Sequence, residues 1–247
     1  MLIGGLEKLS LIDYPGKLSA IVFTLGCNFQ CHYCYNPMLV KPSEADKIKH
    51  KTGSGERTET GRVLIKERDL FEFLDRRKGK LDGVVITGGE PSIHKDLPDF
   101  LKRIKKRGFL VKLDTNGTNP EALNKLLKKE LVDYLAMDLK ADEANYSYVT
   151  GVSVDVDKIK ESVKIIMESG LSYEFRTTLV PELVGKDNLD SMGEMIKGAS
   201  RWYLQKFIPA GELVDPKFKK ITPYTEAEME EMKKTAEKYV KFCGLRS

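Results

Sequence analysis

Six times along this chain a short, apolar, β-branched run is followed by a stretch with helical spacing, and this alternation restricts the fold more than any other feature. The strand-like runs are 18–25, 83–87, 109–114, 134–138, 172–179 and 202–208. Helical spacing predicts helices over 67–77, 97–107, 120–130, 157–169 and 189–197, with a last one over about 225–242. Gly108 closes the second of these as a C-terminal glycine cap, and Pro120 opens the third at a position where its missing N–H costs nothing. Strand-then-helix repeats specify a parallel sheet covered by helices. The expected class is therefore α/β, a partial (β/α)6 TIM-like barrel with outer helices. At 247 residues it is expected to form one domain over 1–247, within the usual size of such barrels. Residues 41–62 lack periodicity, are rich in Gly, Ser, Thr and charge, and read as a flexible surface loop.

In sheets of this kind ligands sit at the carboxyl ends of the strands. The unusual residues of this chain fall at those ends. The first strand runs into Cys27, Cys31 and Cys34, and the second into Gly88-Gly89-Glu90-Pro91. The third ends in Asp114-Thr115-Asn116-Gly117 and the fourth in Asp138-Leu139-Lys140; Arg176 lies near the end of the fifth. The sixth ends in Ile208-Pro209-Ala210-Gly211. An acid, a lysine and a glycine pair on the same rim as three thiols point to one shared site.

The cysteine spacing is C-x3-C-x2-C. Soft thiolates select iron–sulfur clusters or zinc, and a cubane cluster takes one cysteine per iron, so three cysteines leave one iron for another ligand. Zinc needs a fourth donor, and neither His32, His50, His94 nor Cys243 stands at zinc-finger spacing from the triplet. His32 reads as an exposed neighbour of the ligands and Cys243, at the end of the last helix, as a buried or stray thiol. Clustered cysteines without a secretory leader disfavour disulfides and suit the cytoplasm. With 41 basic and 37 acidic residues the charge does not call for nucleic acid, and no apolar run reaches the ~18 residues of a membrane helix. The basic stretch Lys102, Arg103, Lys105, Lys106 and Arg107 reads as a solvated helix face.

The triplet with Tyr33 before its last cysteine, joined to Gly88-Gly89-Glu90-Pro91 after the next strand, resembles the radical S-adenosylmethionine (SAM) superfamily over nearly the whole chain. The run Leu9-Ser10-Leu11-Ile12-Asp13-Tyr14-Pro15-Gly16-Lys17, with Tyr35-Asn36-Pro37, is similar to activating proteins related to that of anaerobic ribonucleoside-triphosphate reductase. Asp114-Thr115-Asn116-Gly117 and Asp138-Leu139-Lys140 resemble these and pyruvate formate-lyase activases. The resemblance implies a [4Fe–4S] cluster on Cys27, Cys31 and Cys34 whose fourth iron holds the amino and carboxylate groups of SAM. It implies backbone approach to the methionyl group at Gly88 and Gly89, an ammonium acceptor in Glu90, and an adenine neighbour in Tyr33. Asp114, Thr115 and Asn116 join the same SAM-binding set, as do Asp138, Lys140 and Arg176, with a monovalent cation expected near Asp114 and Asp138. No catalytic residue beyond the cluster and SAM site is singled out. Formate-lyase activases carry a histidine shortly after a Leu-Pro pair at the sixth strand, and this chain has none in Ile208-Pro209-Ala210-Gly211.

The implied activity is reductive cleavage of SAM to a 5′-deoxyadenosyl radical that takes hydrogen from a glycine of a partner, a glycyl radical enzyme of the anaerobic ribonucleotide reductase kind. An electron donor such as flavodoxin or ferredoxin is a second implied partner. The alternative is a small-molecule radical enzyme resembling 7-carboxy-7-deazaguanine synthases.

Overall fold

The computed structural model describes residues 1–40 and 64–246, so the loop expected over 41–62 lies outside the described residues. The chain is mixed α/β, with a mostly parallel sheet of eight strands that follow one another in chain order. These are β1 (Ile3–Ser10), β2 (Ser19–Thr24), β3 (Gly83–Gly88), β4 (Leu110–Thr115), β5 (Tyr134–Asp138), β6 (Ser172–Leu179), β7 (Trp202–Lys206) and β8 (Cys243–Arg246). The six expected strands are β2 to β7. The two additions are the edges: β1, which runs antiparallel to β2, and β8, which runs parallel to β7.

The chain packs as two units. The first comprises Met1–Asn28, Met38–Asp114 and Asn124–Tyr134. In it β2 pairs with β3 from Ser19↔Gly83 to Thr24↔Gly88, and β3 with β4 from Gly83↔Leu110 to Ile86↔Leu113. Val22, Val84, Ile86, Val111 and Leu113 are fully buried, as the continuous apolar runs of a parallel sheet require. Helices α2 (Glu67–Arg76) and α3 (Leu97–Lys105) belong here, as does α1 (Pro37–Val40) from Met38 on. The α2 face Leu70, Phe71 and Leu74 and the α3 face Leu97, Phe100, Leu101 and Ile104 are buried. Part of the basic stretch 102–107 is engaged locally, while Lys102 and Lys106 are exposed. Lys105 Nζ donates to Asp133 Oδ1 at 2.6 Å, while the guanidinium groups of Arg103 and Arg107 lie 3.9 and 4.4 Å from the Phe71 ring centroid.

The second unit comprises Phe29–Pro37, Thr115–Leu123 and Leu135–Ser247. Here β6 pairs with β7 from Phe175↔Trp202 to Leu179↔Lys206, and β7 with β8 from Trp202↔Cys243 to Gln205↔Arg246. Helix α4 (Pro120–Lys128) is divided between the two units; α5 (Tyr146–Thr150), α6 (Val156–Glu168), α7 (Lys186–Met195) and α8 (Glu226–Ala236) lie in the second. Thr225 and Glu228 close α8 with a reciprocal capping box. The expected last helix over 225–242 ends early, at Ala236. Beyond it the backbone bonds sideways: Gly198 N donates to Tyr239 O at 2.8 Å, Lys241 N to Ala199 O at 2.9 Å and Trp202 N to Phe242 O at 2.9 Å. Cys243 therefore opens strand β8 rather than ending a helix, and burial pushes its thiol up to about 12.

Candidate functional site

In the first unit, the turn after β2 and the turn after β3 are bonded to each other. Gly89 N donates to Thr24 O at 2.9 Å and Glu90 N to Gly26 O at 2.8 Å, while Gly26 N and Cys27 N donate to Leu39 O and Val40 O of α1. The glycine pair is needed for this contact. A Cβ on Gly89 would stand 1.9 Å from Gly26 O, and one on Gly88, at φ +115°, would stand 2.3 Å from Thr24 N. The chain's own backbone occupies the space that side chains at these positions would need. Gly89→Ala is expected to cost about 1–3 kcal/mol by overpacking, read as a lower urea midpoint at unchanged slope. A variant as stable as the parent would show that the turn yields freely.

Glu90 is buried, and its Oε1 accepts from Ser92 N at 3.0 Å. Asp114 is also buried and forms an ion pair with Lys112, a fully buried lysine in the middle of β4 whose ammonium lies 5.9 Å from the Tyr134 ring centroid. Sequence reasoning missed Lys112 because a lysine inside a strand reads as a surface position. Its signal was the two-residue spacing to Asp114, which puts both on one face of the strand. Cys27 is half-buried and not part of a disulfide. The Thr24 hydroxyl is buried with no hydrogen-bond partner among the described residues.

In the second unit, Cys31 is buried and Cys34 half-buried, in a tight turn closed by Cys34 N donating to Cys31 O at 3.0 Å. Burial pushes the Cys31 thiol up to about 11, against the pull of the Lys140 ammonium. The Tyr33 ring packs edge-on to Phe207 at 6.4 Å with Lys140 Nζ 6.0 Å from its centroid, and its buried hydroxyl has no hydrogen-bond partner among the described residues.

The carboxylate at the end of β5 is held from two sides. Arg176 Nε donates to Asp138 Oδ1 at 2.8 Å and Lys140 Nζ to Asp138 Oδ2 at 3.1 Å. Burial raises the Asp138 carboxyl, but the Arg176 and Lys140 cations overcome it and hold the group well below the usual carboxylate range. Burial likewise works against the Lys140 ammonium, and Asp138 outweighs it and raises that group. Two cations on one anion leave this cluster with net charge +1. Thr115 and Asn116 are buried, and their side chains accept from the turn that follows: Gly117 N donates to Thr115 Oγ1 at 3.2 Å, and Thr118 N to Asn116 Oδ1 at 3.1 Å.

Thus Asp138, Lys140 and Arg176 come together as direct partners, and Tyr33 sits against Lys140. Asp114 pairs instead with Lys112. Among the described residues no three His, Cys, Asp or Glu side chains gather as ligands of a single ion.

The sequence pattern of the Radical SAM superfamily matches residues 21–197. A relative from Methanocaldococcus jannaschii, named as a glycyl-radical enzyme activating enzyme, is 32% identical over 251 residues, covering 100% of this chain and 96% of the relative. The pyruvate formate-lyase-activating enzyme of Clostridium pasteurianum is 28% identical over 248 residues, covering 97% of this chain and 96% of its own. Among solved structures, SuiB of Streptococcus suis superposes with a TM-score of 0.61 at 14% identity over 91% of this chain, which spans about half, 47%, of the SuiB chain. QueE from Escherichia coli superposes with a TM-score of 0.51 at 17% identity over 83% of each chain. The two structures share the fold, and the sequence match supplies the family: with its pattern over residues 21–197 and a 32%-identical relative aligned along its whole length, this chain belongs to the Radical SAM superfamily of enzymes.

Proposed function

We propose that this chain activates a glycyl radical enzyme, taking a hydrogen atom from a glycine of that partner protein. The observation that carries this reading is the end-to-end match to a relative named for that activity. Membership of the superfamily implies a [4Fe–4S] cluster and SAM, and the donor set fits. Cys27, Cys31 and Cys34, none of them in a disulfide, would hold the cluster, and ligation by iron would offset the burial that opposes the Cys31 thiolate. The reduced cluster supplies the electron that splits SAM into methionine and a 5′-deoxyadenosyl radical.

The chain's own residues bind and orient. In the second unit, the net positive Asp138–Lys140–Arg176 cluster suits the carboxylate of SAM, with Asp138 fixing the two cations in place. The Tyr33 hydroxyl, without a hydrogen-bond partner among the described residues, suits an acceptor on SAM. In the first unit, Glu90 suits the ammonium group, and the Gly88–Gly89 turn fixes Glu90 against Gly26, the residue before Cys27. Thr115 and Asn116 shape the turn after β4 and bear on SAM through it. A monovalent cation at Asp114 and Asp138 is not carried into the proposal, because Lys112 neutralises the first and Arg176 and Lys140 the second.

The same reading takes residues 1–247 as one working domain and a one-electron donor such as flavodoxin or ferredoxin as a second partner. It places the enzyme in the reducing cytoplasm, which suits cysteines that form no disulfide among the described residues. No helix among the described residues is long and apolar enough to cross a membrane. The test is electron paramagnetic resonance of the glycyl radical enzymes of the same organism, each mixed anaerobically with this protein, reductant and SAM. A protein radical signal that disappears when the partner's glycine is replaced by alanine is expected. SAM cleavage without a protein radical on any of them would overturn the reading.

A further inference from the structure

The cysteine loop of the second unit has an outer side that the proposed SAM chemistry does not use. His32, between Cys31 and Cys34, is clamped between two aromatic rings. It stacks on Phe218 at 5.7 Å and 9°, leans on Tyr148 at 5.8 Å and 56°, and has its Nε2 3.1 Å from Tyr148 O. The backbone is tied to the same place: Asp215 N donates to His32 O at 2.9 Å and Val214 N to Cys34 O at 3.2 Å. A far segment of the chain is thereby strapped to the loop, and it continues as the short turn Pro216–Lys220. That turn contains Lys217, Lys219 and Lys220, all exposed, and no acid. None of the three lysines is in an ion pair among the described residues. The acids just before it are Glu212, exposed, and Asp215, whose Oδ1 accepts from Lys217 N and whose Oδ2 lies 3.9 Å from His32 Nδ1. Tyr148 is 64% exposed.

We propose that this face, where exposed Tyr148 and half-buried Phe218 both pack on His32 and the turn of Phe218 carries three exposed lysines with no ion pair among the described residues, is where an acidic one-electron redox protein docks to reduce the cluster. The proposal rests on the reading that Cys31 and Cys34 hold that cluster. Each cleavage consumes an electron for which the chain contains no source, so a donor must reach the surface beside the cysteines. The ligand loop reaches this surface directly, through the His32 ring and two backbone hydrogen bonds. The lysines, on a chain of net charge +4, select an acidic partner by steering its approach, and the aromatic pair offers the apolar centre that interfaces favour. In the step, one electron leaves the reduced flavin or iron–sulfur centre of the donor, which is oxidised by one electron, and enters the oxidised cluster. No bond or proton on this chain changes.

The test uses cluster-loaded protein and its Lys217→Glu, Lys219→Glu, Lys220→Glu variant, with an acidic flavodoxin as probe. Anaerobic calorimetry measures flavodoxin binding, and stopped-flow absorbance follows reduction of the cluster by flavodoxin hydroquinone. Binding and reduction by flavodoxin are each expected to weaken by about tenfold or more, and to weaken in the parent as salt is raised. Dithionite should reduce parent and variant to the same paramagnetic signal. Unchanged flavodoxin binding and reduction in the variant would overturn the proposal. So would a variant that keeps flavodoxin reduction but loses association with the glycyl radical enzyme, which would give the face to that protein. Failure of dithionite to produce a [4Fe–4S] signal in the parent would instead sink the cluster assignment, and the binding measurement would still decide the docking face.

Discussion

Cys31→Ser is expected to reduce SAM cleavage at least about 100-fold, more than the 10–100-fold typical of removing a group that merely supports a metal ligand. The cause is chemical rather than structural. Serine is close in size, but its hydroxyl does not replace a soft thiolate on iron. Cys27→Ser and Cys34→Ser should do the same, and all three variants should purify with depleted iron. Cys243→Ser is the control: its thiol lies buried in β8, away from the strand ends that carry the triplet. It should retain both iron and cleavage. Chromatographic assay of 5′-deoxyadenosine with iron analysis reads both quantities. Full cleavage in any of the triplet variants, or its loss in Cys243→Ser, would contradict the ligand assignment.

The second large effect is on stability. Lys112 is 1% exposed and its ion-pair partner Asp114 is buried beside it, so Lys112→Met leaves a buried carboxylate without its cation. Removing one partner of a buried pair costs about 3–5 kcal/mol. Urea denaturation should show a loss of that order. Adding Asp114→Asn should recover most of it, because no uncompensated charge then remains and methionine fills much of the lysine volume. A single variant costing less than about 1 kcal/mol, or a double variant no better than the single, would show that the pair contributes little. The pair also bears on function, since it supplies Asp114 with a cation from the chain itself.

The α/β class was legible because buried parallel strands are continuous apolar runs: 134–138 and 172–179 coincide with β5 and β6, and 18–25 brackets β2. The end of the chain was not. Residues such as Tyr239 and Phe242 fit a helical period, but their carbonyls are taken by Gly198 and Trp202, and that pairing exists only once the rest of the unit has formed. The gathering of polar residues at strand ends was equally readable, as the contacts among Asp138, Lys140 and Arg176 show. Their partners were readable only where the spacing is local. Lys140 lies two residues from Asp138, whereas the hold of Arg176 on Asp138 and of residues 214–215 on the cysteine loop comes from distant sequence. At Gly88 and Gly89 the close backbone approach of Thr24 and Gly26 also requires glycine, and that requirement comes from distant sequence.

The central claim is that Cys27, Cys31 and Cys34 hold a [4Fe–4S] cluster with one iron available to SAM. Its most direct test is electron paramagnetic resonance of the dithionite-reduced, iron- and sulfide-loaded protein before and after SAM is added. The account predicts a [4Fe–4S] signal whose line positions move on addition of SAM and which is absent when the three cysteines are replaced together by serine. A signal indifferent to SAM, or one that survives the triple replacement, would contradict it.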